Sequence, residues 1–423
     1  MSISELFELR KNIPFLNTSY PLSPNDWNEF RIKQGLPFDH EKNLSFYIHI
    51  PFCKHLCSFC EYTRMRCPDE TIQRKYLQTI ANNIHRFKLT HTNFTLQGFD
   101  IGGGTPTSLS EYNFNLLMNI YDNTITDIYL SEDYEPSIEG TFNTLSKSKL
   151  DRIVKSNIRR LSLGVQSSSY SVLQKQNRVN PNAQFMYNWL NNAWDSGIKK
   201  INLDFMYGLE NQDSSNINID LELIYYLKPQ QVTLYELRPN MISAKHTANQ
   251  DVLYSQYTQY FEGLIKLGYN AQFGQNTFSI DSTDCGVSSY LRKRMLECMP
   301  YKGFGLSAQS MNSKGVSYNV GKSATNLLQL ISLDKYDEEY TYILPLEEIA
   351  AKYLAISAYN GSFSLDILQK LGINIQQLND SLEFCQSNDL IYIDSFNRVH
   401  VTKKGFKHYG ALFSLFYAYN RNI

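Results

Sequence analysis

The chain has 423 residues with a formal net charge of -1, 42% hydrophobic and 19% charged residues. That length supports a sizeable core in one large domain with an appendage or in two domains. The balanced charge provides no basic field for nucleic acid, so the expected partner is a small molecule or peptide.

The first residues, Met1-Ser-Ile-Ser-Glu-Leu-Phe-Glu-Leu-Arg10, lack the basic start and apolar run of a signal peptide, and no window of about 18 residues is uncharged and apolar throughout. The seven cysteines do not form a secreted disulfide framework. A cytoplasmic, monomeric protein is expected. Residues 1–43 read as a polar, proline-punctuated segment containing Thr18-Ser-Tyr-Pro21.

Leu44–Ile50 alternates as a strand does and delivers Cys53, Cys57 and Cys60, spaced C-x3-C-x2-C, to a loop beyond the strand's carboxyl end. In β/α folds active sites lie there. Three soft thiolates suit a [4Fe-4S] cluster with one iron left open. A structural zinc site, which usually shows four ligands, and unrelated buried thiols are the alternatives. Further apolar or β-branched runs near 97–102, 127–134, 158–165, 199–207 and 231–237 alternate with helical patterns. Six such units predict a parallel sheet with right-handed crossovers, an α/β fold of the partial (β/α)6 barrel kind. We expect an N-terminal segment over 1–43, a barrel domain over 44–330 and a C-terminal domain over 331–423. The last has helices at 346–358, 365–370 and near 375–387, two short strands over Leu390–Thr402 and a final helix, a winged-helix-like pattern. Its neutral charge favours a cap on the barrel over DNA binding.

Several strand ends carry polar punctuation. Asp100-Ile-Gly-Gly-Gly-Thr-Pro-Thr-Ser108 is a turn whose glycines let backbone approach a ligand. Ser131-Glu-Asp-Tyr-Glu-Pro136 gathers three carboxylates, Gln166 tips a buried strand, and Asp204 lies within one. A buried aspartate without a partner is rare enough to favour function.

Taken together, Tyr47-Ile-His-Ile-Pro-Phe-Cys53, the cysteine spacing, Gly102-Gly-Gly-Thr-Pro-Thr107, Asp204-Phe-Met-Tyr-Gly-Leu209 and Gly303-Phe-Gly-Leu-Ser-Ala-Gln-Ser-Met311 resemble the radical S-adenosylmethionine (SAM) superfamily, in the branch of the oxygen-independent coproporphyrinogen III oxidases. The resemblance implies the partial barrel. It also implies a [4Fe-4S] cluster on Cys53, Cys57 and Cys60 whose open iron chelates SAM, and SAM contacts from Tyr47, Gly103, Gly104, Thr105, Gln166, Arg178, Asp204 and Met206. Asp133 is the choice for the acid that holds SAM's amino group, with Glu132 and Glu135 as alternatives, and Arg178 suits a carboxylate because its planar fork binds through two hydrogen bonds. Phe304 and Met206 would flank a second SAM. The implied chemistry is SAM cleavage by an electron from a flavodoxin or ferredoxin, then hydrogen abstraction by the 5′-deoxyadenosyl radical. Oxidative decarboxylation of a porphyrinogen, methyl transfer using two SAM molecules and heme binding by a chaperone compete as readings. The oxidases carry a further cysteine two residues after the third, where this chain has Tyr62, a candidate for stacking on adenine.

Overall fold

The computed structural model describes residues 2–11, 20–21, 24–237, 249–321, 326–334 and 338–417. Thr18 and Ser19 of the N-terminal motif lie outside them. Six parallel strands in sequential order form the heart of the molecule: β1 (Asn43–Ile50), β2 (Thr95–Gly103), β3 (Ser137–Gly140), β4 (Arg160–Gln166), β5 (Lys200–Tyr207) and β6 (Gln231–Glu236). In β1, Phe46, Ile48 and Ile50 turn into the helix layer, where Phe46 meets Phe87, Phe94 and Phe99, while Tyr47 and His49 take the other face. The outer helices begin on side-chain caps. Asp69 accepts from Thr71 N and Ile72 N ahead of helix Glu70–Thr90, and Ser110 from Asn113 N ahead of helix Glu111–Ile125.

The third unit differs from the expected strand at 127–134. Only Tyr129–Leu130 pairs there, beside the start of β2, and the strand that continues the sheet is β3. Residues 131–136 instead turn, with Tyr134 N donating to Ser131 O, and Pro136, which has no donor for a ladder, sits just before the strand.

Beyond β6 the sheet gains β7 (Thr277–Ser279), antiparallel to β6. On its other side β8 (Tyr301–Phe304) joins β1 in parallel, followed by an antiparallel meander of β9 (Gln309–Asn312), β10 (Gly315–Asn319) and β11 (Glu338–Ile343), with Arg31–Ile32 at the far edge. The strand path therefore runs open from Arg31–Ile32 to β7, a partial barrel widened by a meander. It also crosses both expected unit boundaries, since Arg31–Ile32 and β11 hydrogen-bond into the main sheet. Half-buried Lys302 on β8 pairs with Glu338 of β11 and fastens that edge.

The C-terminal unit follows the expected pattern from helix Leu346–Ser357 onward. Strands Ser362–Ser364, Arg398–Val401 and Ile391–Ile393 form a three-stranded antiparallel sheet among short helices. It caps the barrel, with Phe406 against Tyr257 at 4.3 Å between ring centroids and Tyr409 Oη donating to Glu236 at 3.0 Å. The described parts of residues 1–43 pack on this unit and on the meander. Phe7 meets Phe384, Arg10 donates to Ser414 O, and Trp27 meets Tyr342 and donates to Glu348. None of these described residues lines the cavity at the barrel mouth.

Candidate active site: a thiol loop over the barrel mouth

After β1 the chain passes Pro51 into Phe52–Cys53, which pairs in parallel with Met65–Arg66, so the cysteine loop folds back on its own base. Met65 N donates to Pro51 O and Cys67 N to Cys53 O. The loop is tied to the segment after β4 as well: Ser58 Oγ donates to Gln176 Oε1 at 2.7 Å and Asn177 Nδ2 to Leu56 O at 3.0 Å. Cys53 and Cys57 are buried and Cys60 half-buried, all as free thiols lining one cavity. Burial pushes the Cys53 thiol up to about 11 and also raises Cys60. Metal-free, Cys53 and Cys60 hold their protons, and iron must displace them. Cys67, outside the cavity, donates to Ser108 O at 3.4 Å.

The glycine turn after β2 lies directly beneath this loop. Gly103 has φ 109° and its N–H donates to Glu139 at 3.0 Å. A Cβ on Gly104 would come within 2.8 Å of Ile50 O and 3.0 Å of Cys53 Sγ, so only glycine lets the two turns touch. Thr105 Oγ1 lies 3.7 Å from Cys53 Sγ.

The other strands bring their ends to the same cavity. On β4 the pairing with β5 slips between Gly164 and Gln166, and Gln166 adopts φ 71° at that bulge, which aims its amide at the cavity. Arg178 donates to Gly164 O and lies 3.6 Å from Cys57 Sγ, while its Nε is buried without a partner among the described residues. Asp204 accepts from Asn202 Nδ2 at 2.7 Å and Ser162 Oγ at 3.2 Å, and burial raises it to about 6 despite the opposing charge of Arg160. Met206 forms an apolar wall, and Tyr62, half its surface exposed, stands at the rim. Tyr47 lies one step back, its ring stacked on Tyr290 and its hydroxyl 3.4 Å from His49 Nδ1.

Two expected residues lie elsewhere. Asp133 sits in the surface turn before β3, where it pairs with Arg292 and with Lys293 Nζ at 2.9 Å. Burial opposes its ionisation, but these cations and Ser131 outweigh it and hold the carboxyl at about 2. Glu135 pairs with Lys200 at 2.9 Å, and Glu132 is exposed. The acid that this third unit brings to the cavity is Glu139 at the end of β3, raised to about 8 by burial and by the charge of Asp204. Its signal was an acid closing a short apolar strand, Ser137-Ile-Glu-Gly140, in the position Asp204 and Gln166 hold on their strands. Phe304, expected beside a second SAM, is a core residue, with ring centroids 5.3 Å from Phe46 and 5.9 Å from Phe87. Alternation along β8 is the cause: Tyr301 turns to the barrel side, so Phe304 turns outward.

Residues 47–224 match the model of the radical SAM superfamily. The stretch from Tyr47 to Ile224 is thus similar to the radical SAM superfamily. The chain is 30% identical over 239 residues to a heme chaperone HemW of Haemophilus influenzae, covering 53% of this chain and 60% of that protein. It is also 30% identical over 222 residues to an oxygen-independent coproporphyrinogen III oxidase of Salmonella typhimurium, covering 52% and 48%. The match thus spans about half the length of these curated relatives. In fold it is similar to the coproporphyrinogen III oxidase HemN of Escherichia coli, with a TM-score of 0.73 over 90% of this chain and 91% of that one at 21% identity.

The cofactors of the radical SAM family are a [4Fe-4S] cluster and SAM, and the site fits them. Its donors are three thiols on one loop, its floor is a glycine turn that a single Cβ would fill, and a guanidinium with an orphaned Nε faces the same space. Among the described residues no three His, Cys, Asp or Glu side chains converge on a single ion. Cluster thiolates need not converge, because each binds a different iron. No helix among the described residues is long and apolar enough to cross a membrane.

Proposed function

We propose that the chain is a radical SAM oxidoreductase that decarboxylates a porphyrinogen-type small molecule, with an electron supplied by a flavodoxin or ferredoxin. One observation carries this reading: the cavity under the cysteine loop adjoins a second chamber inside the same barrel, and the two share Tyr62, Glu139, Ser162, Tyr235, Asn276 and Tyr359. A substrate in the inner chamber would lie against the SAM cavity with no wall between. When bound, the cluster and SAM supply a 5′-deoxyadenosyl radical able to abstract a hydrogen atom. The protein's part is to hold both molecules in line and exclude water. Cys53, Cys57 and Cys60 anchor the loop. Gly103, Gly104, Thr105 and Glu139 offer backbone and a carboxyl to the amino acid end of SAM, and Arg178 offers its fork to a carboxylate. Asp204, Gln166, Met206 and Tyr62 line the space left for the nucleoside. Converting one propionate to a vinyl group releases carbon dioxide, gives one hydrogen atom to the nucleoside radical, and passes one further electron to an acceptor.

Heme binding as a chaperone is the second reading, favoured by the equal similarity to HemW and by Tyr62 in place of a further cysteine. Methyl transfer with two SAM molecules loses its support, because Phe304 is in the core. The test is anaerobic incubation of reconstituted protein with SAM, reductant and coproporphyrinogen III, with products read by mass. Decarboxylation gives 5′-deoxyadenosine and a product lighter by one carbon dioxide and two hydrogens per vinyl group, without S-adenosylhomocysteine. Stoichiometric heme binding with no substrate-dependent 5′-deoxyadenosine would replace this reading with the chaperone.

A further inference from the structure

The inner chamber has a lopsided charge pattern. Its floor is Arg160, buried on β4, whose Nε donates to Gln231 Oε1 at 2.9 Å and whose NH1 donates to Ser137 Oγ at 2.8 Å. Its side wall is closed by helix Ser289–Leu296 and helix Leu346–Ser357, which bring Arg294 and Lys352 to the chamber.

Arg294 is the unusual member. Its guanidinium lies 4.6 Å from the Tyr301 ring centroid, NH2 donates to Gln309 Oε1 at 3.1 Å, and NH1 lies 3.5 Å from Tyr290 Oη. Among the described residues its Nε is buried with no partner, and no carboxylate pairs with it. A sheltered guanidinium held by a ring and neutral oxygens carries an unmet demand for an anion, because desolvating a charge is costly unless it is paired. The acids of the chamber do not meet it. Asp100 accepts from Ser288 Oγ at 2.6 Å through one oxygen, and its other oxygen is buried without a partner among the described residues. Burial raises Asp100 to about 7 and Glu139 to about 8, so both lean towards the neutral form. Beside Arg294 the wall is apolar, formed by Leu291, Met295 and Ile356.

Resting on the substrate class read above, we infer that Arg294 is the specificity-determining residue that receives a carboxylate arm of the substrate, with the apolar body of that acid lying on Leu291, Met295 and Ile356. The fork geometry suits a carboxylate through two parallel hydrogen bonds, and the ring of Tyr301 holds the guanidinium plane in place. Arg294 thus selects among substrates before any chemistry begins.

The probe is coproporphyrin III, a stable tetracarboxylate, against its tetramethyl ester, titrated by fluorescence into anaerobically reconstituted protein with SAM present. The native protein should bind the free acid at least tenfold more tightly than the ester. Arg294→Gln should weaken the acid at least tenfold and abolish the difference, with Arg294→Lys between, while SAM affinity and iron content stay unchanged. Acid and ester bound alike by the native protein, no binding of the acid, or an Arg294→Gln variant that keeps the acid's affinity would each overturn the inference. The acid–ester comparison needs no variant, so misfolding of Arg294→Gln cannot mask the result. The functional reading is judged separately by turnover. Binding through Arg294 without 5′-deoxyadenosine keeps the carboxylate site and loses the decarboxylase, whereas decarboxylation undisturbed by Arg294→Gln keeps the decarboxylase and loses the carboxylate site.

Discussion

Arg178 and Gly104 show how much of the site rests on single side chains, or on the lack of one. Arg178 is held by Gly164 O and Cys57, and its buried Nε has nothing to bond among the described residues. Lysine there would keep a charge but lose the fork. Arg178→Lys is therefore expected to weaken SAM binding by about 1–3 kcal/mol, the usual worth of a hydrogen bond to a charged group. Isothermal titration of the reconstituted protein measures it, and an unchanged affinity would remove Arg178 from the SAM site. Gly104→Ala tests the contact beneath the loop. Its new methyl group would press on Ile50 O and Cys53 Sγ, so the cysteine loop must lift. Iron bound per chain after reconstitution should fall well below that of the native protein, with secondary structure by circular dichroism unchanged.

At the scale of the strands, the barrel interior is polar where a packed barrel would carry branched apolar layers. Asp100 on β2, Glu139 on β3 and Asp204 on β5 all point into it, and burial raises them to about 7, about 8 and about 6. A carboxyl whose pKa is higher folded than unfolded holds more protons in the folded chain. Its stabilisation is complete below its unfolded pKa, near 4, and is lost as pH rises through the folded value. Metal-free protein should thus melt at lower temperature at pH 8.5 than at pH 6.5, with a slope of roughly 1.4 kcal/mol per pH unit for each carboxyl protonated only when folded. His49, lowered to about 4 by burial, is already neutral across that window. The Asp100→Asn, Glu139→Gln double variant should flatten the slope in calorimetry. An identical slope in the variant would assign the pH dependence to other groups.

Across the whole molecule, the chain's ends meet on the cap. Phe7 packs on Phe384 at 5.6 Å and Arg10 donates to Ser414 O at 2.7 Å, so helix Ile3–Arg10 braces the C-terminal unit that closes the barrel mouth. Phe7→Ala should cost about 3 kcal/mol, the range for emptying a buried phenylalanine site. The loss should be local: hydrogen exchange should quicken in helices Asn379–Ser387 and Tyr409–Tyr417 and stay unchanged in β1 to β6. Equal protection in both proteins would mean that the first helix braces nothing.

The sequence by itself determined the six-unit parallel frame, the cysteine loop at the end of its first strand, the glycine turn and the acid, amide and apolar side chains on strands 160–166 and 200–207. These are local signals, set by side-chain alternation, spacing and turn chemistry within a few residues. Tertiary structure decided the rest. Glu139 rather than Asp133 faces the cavity because the sheet recruits Ser137–Gly140, a choice made by its neighbours Asp100 and Arg160 and not by the strand's own short pattern. Phe304 faces the core because its parity on β8 is fixed by pairing with β1, more than 250 positions earlier in the numbering. The inner chamber and the place of Arg294 in it exist only where helices 289–296 and 346–357 come together against the sheet. Which charges meet there is a property of distant segments brought together, and no spacing within one segment encodes it.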